Sequence, residues 1–536
     1  MRRKTMLFKT TITMLAVCAL AVRGKEYPRV EYAGGVTYGI TKVVHSNVAP
    51  QLEITDDTTY FNGAWIQNFS GNIGIDAILS PHLSLHTGIS AGIWHTFQTV
   101  RSGYYFATSG RKASRDIPTI NVQYRFGDPG AGHTPLKITA GFFDYRYESD
   151  AKSLGLYLFN SEAYPGIVYA AGERKIFGLG LHSDLPAILS HDVLAYTDPY
   201  SSSDFDVSFA YVACLTPGPL FNVGAGIALH RILKDDPDLT DRSTYSEDSY
   251  SAGEIARIDS GLSVRDLEPT IYYSKAGTKV MLRAAFDPSP LLEQSAFFGP
   301  SDLKVYAEAA ILGLKDYPNS YESPSRGYTD ILERIPVMGG INVPTHPIVG
   351  NGIAPLGLAM FLIGTEPDSV KVLEADTVIV PTGEFHGNYE LFDTTITQNT
   401  EIIERGLRYK PQRLVVAGVL SAIAGAGTFL LERRLGRELR LDRIAVEVEY
   451  YGTPYRNVLL GDRALPVLHL YQDRADEDNI RWAVHFEKSF MDRVTFSGRV
   501  ACDHLKLKNE YGWWAPEEIV ERIGEWYWAT GLSVSF

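Results

Sequence analysis

The chain has 536 residues, of which 45% are hydrophobic and 21% are charged, and its formal net charge is −13. This apolar content excludes a disordered chain, and the acidic balance argues against a nucleic-acid partner. A helical membrane transporter would need several apolar runs of about 20 residues, and only one run here comes close to that length. The 31 Tyr and 48 Gly favour sheet over helix, because Tyr packs well on pleated surfaces and Gly marks turns and bends.

The first residues of the chain predict export. Residues 1–21 contain a basic stretch, an apolar stretch from Thr10 to Leu20, and the small-residue sequence Ala19-Leu20-Ala21. This is the layout of a secretory signal peptide with a cleavage site after Ala21. Two alternatives are a retained anchor, for which the apolar stretch is short, and lipidation at Cys18. Cleavage would change the net charge from −13 to −17, because residues 1–21 carry four basic and no acidic side chains.

Beyond the predicted signal peptide the sequence contains two cysteines, Cys214 and Cys502. Two distant cysteines in an exported protein do not form a disulfide framework. We therefore expect the fold to be stabilised by burial and by backbone hydrogen bonds.

Apolar residues alternate with polar or small residues along the chain, first in residues 82–96. Leu83, Leu85 and Ile89 alternate there with polar or small residues such as His86 and Ser90. The pattern recurs in seven further segments: 120–126, 205–211, 221–230, 303–311, 444–450, 480–487 and 494–500. Period-2 alternation predicts strands with one apolar face. The predicted strands are longer than the five or six residues usual in soluble proteins, whereas a tilted strand of about ten residues crosses a bilayer.

We therefore predict an all-β fold, a transmembrane antiparallel β-barrel of about 16 strands within a range of 14–18, occupying residues 22–536. The alternative is a soluble protein of two packed sheets. Longer polar connections alternate with short turns and are expected to form outer loops: 97–116, 147–164, 232–266, 314–331 and 508–524. The acidic segment 232–266 has no EF-hand spacing, so a solvated loop is preferred to a calcium site.

The C-terminus carries a specific resemblance. Apolar Trp528, Leu532, Val534 and Phe536 alternate with small residues in the segment 526–536. This segment resembles the closing strand of Gram-negative outer-membrane β-barrels of the porin type. The resemblance implies location in the cell outer membrane, contact with outer-membrane lipids, and recognition by the barrel-assembly machinery through the strand ending at Phe536. Porins often assemble as trimers, so a homo-oligomer is possible.

Residues 346–440 interrupt the alternation and are predicted to be an insertion between two barrel strands. An uncharged run from Leu414 to Leu431 is flanked by basic residues and preceded by Pro411. Because Pro suits a helix start and Ala and Leu favour helix, we predict a helix at 411–437 that packs in the lumen or at its mouth. The alternatives are a strand hairpin that turns at residues 425–427 and a separate membrane span.

Catalytic motifs are weak. Gly88-Ile89-Ser90-Ala91-Gly92 has the spelling of a nucleophile elbow, but it lies inside a predicted unbroken strand, where the required sharp turn is not expected. We find no phosphate-binding loop, no zinc-protease motif and no cysteine spacing typical of a metal site. We therefore expect no catalytic residues, no metal and no cofactor, and we do not expect an enzyme.

The sequence favours a porin-like channel for passive or semi-selective diffusion of small solutes. Charged side chains on the predicted inner faces are the pore-lining candidates: Lys304, Glu308, Glu447, Glu449, Arg481, His485, Glu487 and Arg499. The alternative is a non-transporting outer-membrane barrel that acts in surface binding, adhesion or secretion scaffolding. An open lumen would favour the channel, and a plugged lumen would favour the alternative.

Overall fold

The structure is a computed structural model, and it describes residues 27–46, 63–96, 111–115, 119–127, 134–145, 147, 150–158, 174–185, 188–197, 207–233, 277–292, 298–314, 331–346, 365–386, 389–409, 427, 430, 440–451, 459–460, 465–466, 480–490, 493–505, 518–520 and 523–536. The predicted signal peptide and nearly all of the acidic segment 232–266 lie outside these residues. The chain divides into two compact units, one formed by residues 1–346 and 440–536 and the other by 347–439.

Strands dominate the described residues. Those of the first unit are β1 (Arg29–His45), β2 (Trp65–Ile78), β3 (Leu83–Thr96), β4 (Arg111–Arg115), β5 (Thr119–Phe126), β6 (Leu136–Tyr145), β7 (Arg174–Leu185), β8 (Leu189–Thr197), β9 (Val207–Gly218), β10 (Phe221–Leu233), β11 (Gly277–Phe286), β12 (Val305–Ile311), β13 (Pro336–Asn342), β16 (Arg443–Tyr451), β17 (Leu459–Leu460), β18 (Leu465–Pro466), β19 (Ile480–Phe490), β20 (Val494–Cys502) and β21 (Trp526–Ser535). The second unit contributes β14 (Thr365–His386) and β15 (Tyr389–Tyr409). Among the described residues, the helical elements are the short α1 (Ser289–Leu292) and a 3-10 turn (Ile331–Arg334), and the single residues Gly427 and Leu430 are also helical.

The main sheet closes on itself. Its strands pair antiparallel with their neighbours in chain order, and the ring is completed where β1 pairs with β21. β4 and β5 pair one after the other with the same partner, β3, and so share one position in the ring. The 17 strands of the sheet therefore form a closed ring of 16 positions. The predicted all-β antiparallel barrel of about 16 strands is confirmed.

The apolar face of the strands points outward. Ile89 on β3 is 59% exposed and Val448 on β16 is 48% exposed, whereas the alternate residues Glu447 and Glu449 are 1% and 0% exposed. Trp482 shares the outward phase of Val448 but is covered, and its indole Nε1 donates a hydrogen bond to the Ile523 carbonyl at 3.1 Å. An outward apolar face and an inward polar face are the pattern of a barrel surrounded by lipid.

The two ends of the barrel differ in the length of their connections. The start of β1 and the end of β21 lie at one end, where Gly35 pairs with Ser535. Short turns such as 79–82, 219–220 and 491–493 lie at this end, which we call the short-turn end. At the opposite end, which we call the long-loop end, β6 ends and β7 begins, and β10 ends and β11 begins. The two strands of each pair are separated in sequence by the long ranges 146–173 and 234–276. This asymmetry is typical of outer-membrane barrels, whose short turns face the periplasm.

The second unit is a β-hairpin. β14 and β15 pair antiparallel from Thr365 with Tyr409 to His386 with Tyr389. The prediction of a partly helical insertion is therefore not confirmed, since the described part of residues 347–439 is mainly strand. The predicted helix at 411–437 lies outside the described residues except for Gly427 and Leu430, which are helical and exposed. Within the described part of the chain, no helix has the length and apolar character needed to cross a membrane.

Candidate functional site

A segment that follows β6 lies inside the barrel. Tyr147 and residues 150–158, which we call the inward segment, supply six of the 18 side chains of the main buried cluster. The others come from the inner faces of β6–β13 and from Leu312. The sequence prediction of an outer loop at 147–164 is therefore wrong for the described residues of that range. Its apolar side chains explain the placement, because Leu154, Leu156 and Leu158 would otherwise be exposed to water.

Glu447 of β16 holds one part of the inward segment. Its carboxylate accepts hydrogen bonds from the backbone N–H groups of Lys152, Ser153 and Leu154 at 2.6, 2.8 and 3.0 Å. The Tyr306 hydroxyl donates a fourth bond at 2.8 Å. Consecutive backbone N–H groups that converge on one carboxylate form an anion-binding nest. These four donors satisfy the hydrogen-bonding capacity of the buried Glu447 carboxylate.

Glu308 of β12 holds the next part in the same way. It accepts hydrogen bonds from the Tyr157 backbone N–H at 2.8 Å and from the Tyr147 hydroxyl at 2.5 Å. Gly155 and Leu156 have φ values of +82° and +61°, in the left-handed region. Glycine adopts this conformation readily, while leucine does so only when its surroundings enforce it. The resulting turn directs the Tyr157 N–H toward Glu308.

Glu449 joins the inward segment to the residues that flank β20 and β21. It accepts a hydrogen bond from the Tyr157 hydroxyl at 2.6 Å and lies 2.6 Å from His504 Nε2. The other ring nitrogen of His504 lies 2.7 Å from Glu518, and Glu518 forms an ion pair with Arg481 at 3.2 Å. These five side chains form a continuous buried polar network.

The neighbours of His504 and Tyr157 in this network determine the protonation of both side chains. His504 follows the end of β20, outside the spanning strands. Burial by itself lowers the pKa of His504, but the carboxylates of Glu518 and Glu449 outweigh this effect and raise the pKa to about 10. Burial and then the Glu449 carboxylate raise the pKa of Tyr157 well above its ordinary value. At neutral pH the imidazole is therefore a cation held between two carboxylates, and Tyr157 is a hydrogen-bond donor.

Lys304 and Arg499 also contact the inward segment. Lys304 Nζ lies 2.8 Å from Asp150 of that segment and 3.5 Å from Asp287. Arg499 forms an ion pair with Asp503 at 3.0 Å, and its Nη1 lies 3.5 Å from the Ser153 hydroxyl. Both cations keep partly exposed side chains. They can therefore influence ions in the remaining water space.

The last two pore-lining candidates, His485 and Glu487, are also on the inner face. Their side chains lie 3.8 Å apart on β19, and the Glu487 side chain is 34% exposed. In the described residues neither side chain donates to or accepts from the backbone of the inward segment. The eight candidates thus separate into a buried group that holds the segment or its neighbours and a partly exposed group. Glu308, Glu447, Glu449 and Arg481 belong to the first group.

Among the described residues, two lumen cavities are lined chiefly by the halves of the strands nearest the short-turn end. The larger, of about 410 Å³, is lined by polar side chains such as Asn121, Gln123 and His182 together with aromatic Tyr145. The smaller, of about 280 Å³, is lined by residues that include Lys304 and Glu308. Both volumes are large enough for several waters or one small solute.

The larger cavity has histidine–aspartate pairs on its wall. His182 Nδ1 lies 2.8 Å from Asp192, and His182 Nε2 lies 3.3 Å from Asp184. His86 Nδ1 lies 2.5 Å from Asp76. Because both nitrogens of His182 face carboxylates, His182 is placed as a hydrogen-bond donor to both rather than as a general base.

The nucleophile-elbow spelling at Ser90 does not correspond to an elbow. β3 runs unbroken from Leu83 to Thr96, so Ser90 lies within a regular strand that pairs with Asn72 on β2. An elbow needs a sharp strand-to-helix turn that exposes the serine. Ser90 therefore lacks the geometry of an activated nucleophile.

No protein-family model matches the chain, and no curated protein matches its sequence. Variants of the Rhodopseudomonas blastica porin align over 95% of this chain and 100% of theirs at 9% identity, with TM-scores of 0.36 and 0.35. A high-pH structure of Pseudomonas putida OprB aligns over 95% of this chain and 94% of its own at 9% identity, with a TM-score of 0.42. These scores are too low to establish a shared fold, so the classification depends on the closed ring itself. The architecture is a closed antiparallel β-barrel of 16 ring positions.

Proposed function

We propose that this chain is an outer-membrane channel through which small hydrophilic solutes pass by passive or semi-selective diffusion. The observation that carries the proposal is a closed ring of 16 positions with an apolar outer face and a polar interior that encloses cavities of about 410 and 280 Å³. Lipid contacts the outer face of such a barrel, and barrels of this strand number leave room for an aqueous path. In this proposal the barrel-assembly machinery recognises the strand that ends at Phe536.

The solute path follows the partly exposed charged side chains of the inner wall. Lys304, His485, Glu487 and Arg499 are candidates for the selectivity-determining charges, because each keeps part of its side chain exposed. The buried carboxylates instead position the inward segment, which narrows the lumen. A narrowed path lined by both signs of charge would discriminate among solutes by size and by local charge.

A second function is supported by a different observation. The inward segment is buried and contacts the wall opposite its own strand, as expected for a plugged lumen. A barrel closed in this way would act in surface binding, adhesion or secretion scaffolding. We favour the channel, because water-sized space persists between the inward segment and the short-turn end.

Planar-bilayer recording of the refolded chain without residues 1–21 distinguishes the two functions. A channel gives stepwise, ohmic conductance increases in potassium chloride, while a closed barrel gives none. The matched sample is the same protein left unfolded in detergent. Glu487→Gln should shift the reversal potential in a salt gradient toward anion selectivity. A folded barrel with no conductance would overturn the channel proposal and leave the second function.

A further inference from the structure

Arg283 of β11 is shared by the two lumen cavities, since it lines both of them. Gly224 lies directly opposite it on β10, and a Cβ at that position would overlap Arg283 Nε. The absence of a side chain at Gly224 thus leaves room for the guanidinium to lie along the wall. The guanidinium carbon lies 5.4 Å from the ring centroid of Tyr147, within the range of a cation–π contact. Arg283 is therefore positioned by the wall and by the inward segment together.

The acidic side chains that line the cavities are already engaged. Each of the four acidic residues has an interaction partner in the structure: Asp144, Asp150, Asp192 and Glu308. Asp150 pairs with Lys304 Nζ, and Asp192 pairs with His182 Nδ1, each at 2.8 Å. Glu308 accepts hydrogen bonds from neutral donors and also lies close enough to Arg283 for their charges to interact.

Arg283, by contrast, has no ion pair among the described residues, and its buried Nε has no hydrogen-bond partner. Lys137, near the start of β6 at the short-turn end, also lines the larger cavity and likewise forms no ion pair among these residues. The Glu308 carboxylate acts on Arg283 electrostatically, but no hydrogen bond engages the guanidinium among the described residues. Its N–H groups are therefore available to an anion that enters the cavities.

We propose that Arg283 binds the carboxylate group of a small organic anion as it passes through the lumen, and that Lys137 attracts this anion at the short-turn end. The planar guanidinium offers parallel N–H donors that match the two oxygens of a carboxylate. A cavity of about 410 Å³ is of the size that holds a small ligand. This inference rests on the proposed channel function and specifies the solute class of the same lumen.

The test is block of potassium chloride conductance by succinate, with inorganic phosphate and glucose as comparison solutes. Wild-type channels should be blocked by succinate, and Arg283→Gln should raise the concentration for half-block about tenfold, the loss expected for a charge-assisted contact. Arg283→Lys should keep the ion selectivity of the wild type while losing most of the succinate block. Lys488→Gln is the matched control, because it removes one positive charge that lines neither cavity and pairs instead with Asp442. This control should leave the block unchanged.

Equal succinate block in wild type and Arg283→Gln would overturn the inference while leaving a conducting channel intact. Stronger block by phosphate than by succinate would overturn the assignment to carboxylates. A folded barrel that does not conduct would overturn both the channel and this inference. Should Arg283→Gln fail to fold, Gly224→Ala provides a second variant, since the added methyl group displaces the guanidinium without removing its charge. Gly224→Ala should weaken the succinate block, and an unchanged block would count against the inference.

Discussion

The backbone N–H of Ser153 donates a hydrogen bond of 2.8 Å to Glu447, although the two residues belong to opposite sides of the barrel. Ser153 follows β6, and Glu447 lies on β16, which is eight positions away in a ring of 16. The inward segment therefore spans the lumen. Its apolar side chains pack against β6–β13, and its backbone donors are satisfied by carboxylates of β12 and β16. The segment is fixed by apolar packing and by hydrogen bonds to carboxylates, and Glu447 supplies the contact on the far side of the lumen.

Glu447→Gln should release the inward segment. An amide at this position can accept with its oxygen only, so at least one backbone N–H of residues 152–154 would face an NH2 group without an acceptor. Hydrogen bonds to a charged acceptor contribute about 1.5–3 kcal/mol each, and we expect a loss of about 3 kcal/mol in the local stability of the segment. Amide hydrogen exchange at residues 152–154 measures this loss directly.

Glu487→Gln is the matched control for Glu447→Gln, since Glu487 is a partly exposed carboxylate of the same inner wall. It should leave exchange at residues 152–154 unchanged. In bilayer recordings the Glu447 variant should show larger current fluctuations than this control. Equal exchange rates in the two variants would show that Glu447 does not hold the segment.

The contact between His504 and Glu449 should weaken at alkaline pH. The pKa of His504 in the folded protein, about 10, lies above its ordinary value of 6.5. The stabilisation contributed by protonated His504 is therefore fully present below pH 6.5 and is lost as the pH rises through about 10. Tyr157 remains protonated over this window, because its own pKa is raised well above the ordinary value. Exchange at the Tyr157 amide should accelerate between pH 9 and pH 11 beyond the intrinsic rise.

His504→Gln supplies the control for the pH effect. Glutamine can donate one hydrogen bond to Glu449 or Glu518 but carries no titrating charge. The variant should be less stable than the wild type at neutral pH and should show no additional loss near pH 10. A wild-type protein without any such loss would show that the imidazole is not held as a cation.

The strands of the ring can be predicted from the sequence, because the alternation that marks each strand is a pattern among neighbouring residues. Alternation at Ile89 and at Val448 places these side chains outward and places Glu447 and Glu449 inward, as the structure has them. The strand phase does not reveal what the inward carboxylates contact. Glu447 and Ser153 are 294 residues apart, and no periodicity relates them. The pore-lining role of the charged candidates therefore stays a prediction, while their inward placement follows from period-2 geometry.

Two features of the structure differ from what the sequence predicts. The apolar run Leu154-Gly155-Leu156-Tyr157-Leu158 is unusual for a solvated loop and could have indicated a buried one. The insertion is predicted from the interrupted alternation, and the Ala and Leu content of residues 411–437 predicts a helix within it. Val370-Lys371-Val372, nearer its start, shows the strand alternation that the structure has in β14. Hairpin pairing depends on the partner strand as well as on local preference, so composition alone does not reveal it.

Removal of the insertion should leave the barrel folded. The residues on either side of it are held together by Asp302, which accepts hydrogen bonds from the Thr345 N–H at 2.9 Å and from Arg440 Nη2 at 3.1 Å. Arg440 Nε also donates to the Thr345 hydroxyl at 2.9 Å. Replacing residues 347–439 by a short Gly-Ser linker should therefore preserve the β-sheet circular dichroism and the melting temperature of the barrel.

Asp302→Ala should weaken the same junction in the full-length chain. It removes the acceptor of several donors at a side chain that is 1% exposed, with an expected loss of about 2–4 kcal/mol in the free energy of unfolding. Chemical denaturation of the refolded protein measures the change, and Asp442→Ala serves as a control at an exposed aspartate of the same barrel end. Equal effects of the two substitutions would show that Asp302 has no special role at the junction.

The backbone of Phe536 extends the seam that closes the barrel. Its N–H donates to the Gly34 carbonyl at 2.9 Å, and the Gly34 N–H donates to the Phe536 carbonyl at 3.0 Å. The side chain itself is 64% exposed. Deletion of Phe536 removes both hydrogen bonds and should lower the free energy of unfolding by about 2 kcal/mol. Phe536→Ala keeps both bonds and should have a smaller effect on the refolded protein.

The deletion of Phe536 and the Phe536→Ala substitution also distinguish an effect on barrel stability from an effect on barrel assembly in cells. Recognition of the terminal aromatic side chain by the assembly machinery predicts that Phe536→Ala lowers the amount of folded barrel in the outer membrane about as much as the deletion does. A role of Phe536 in seam stability alone predicts that only the deletion has this effect. Quantifying folded barrel in membrane fractions, alongside unfolding of the purified proteins, distinguishes these outcomes. Normal membrane levels of the Phe536→Ala protein would contradict recognition of the side chain, since the backbone seam is intact in that variant.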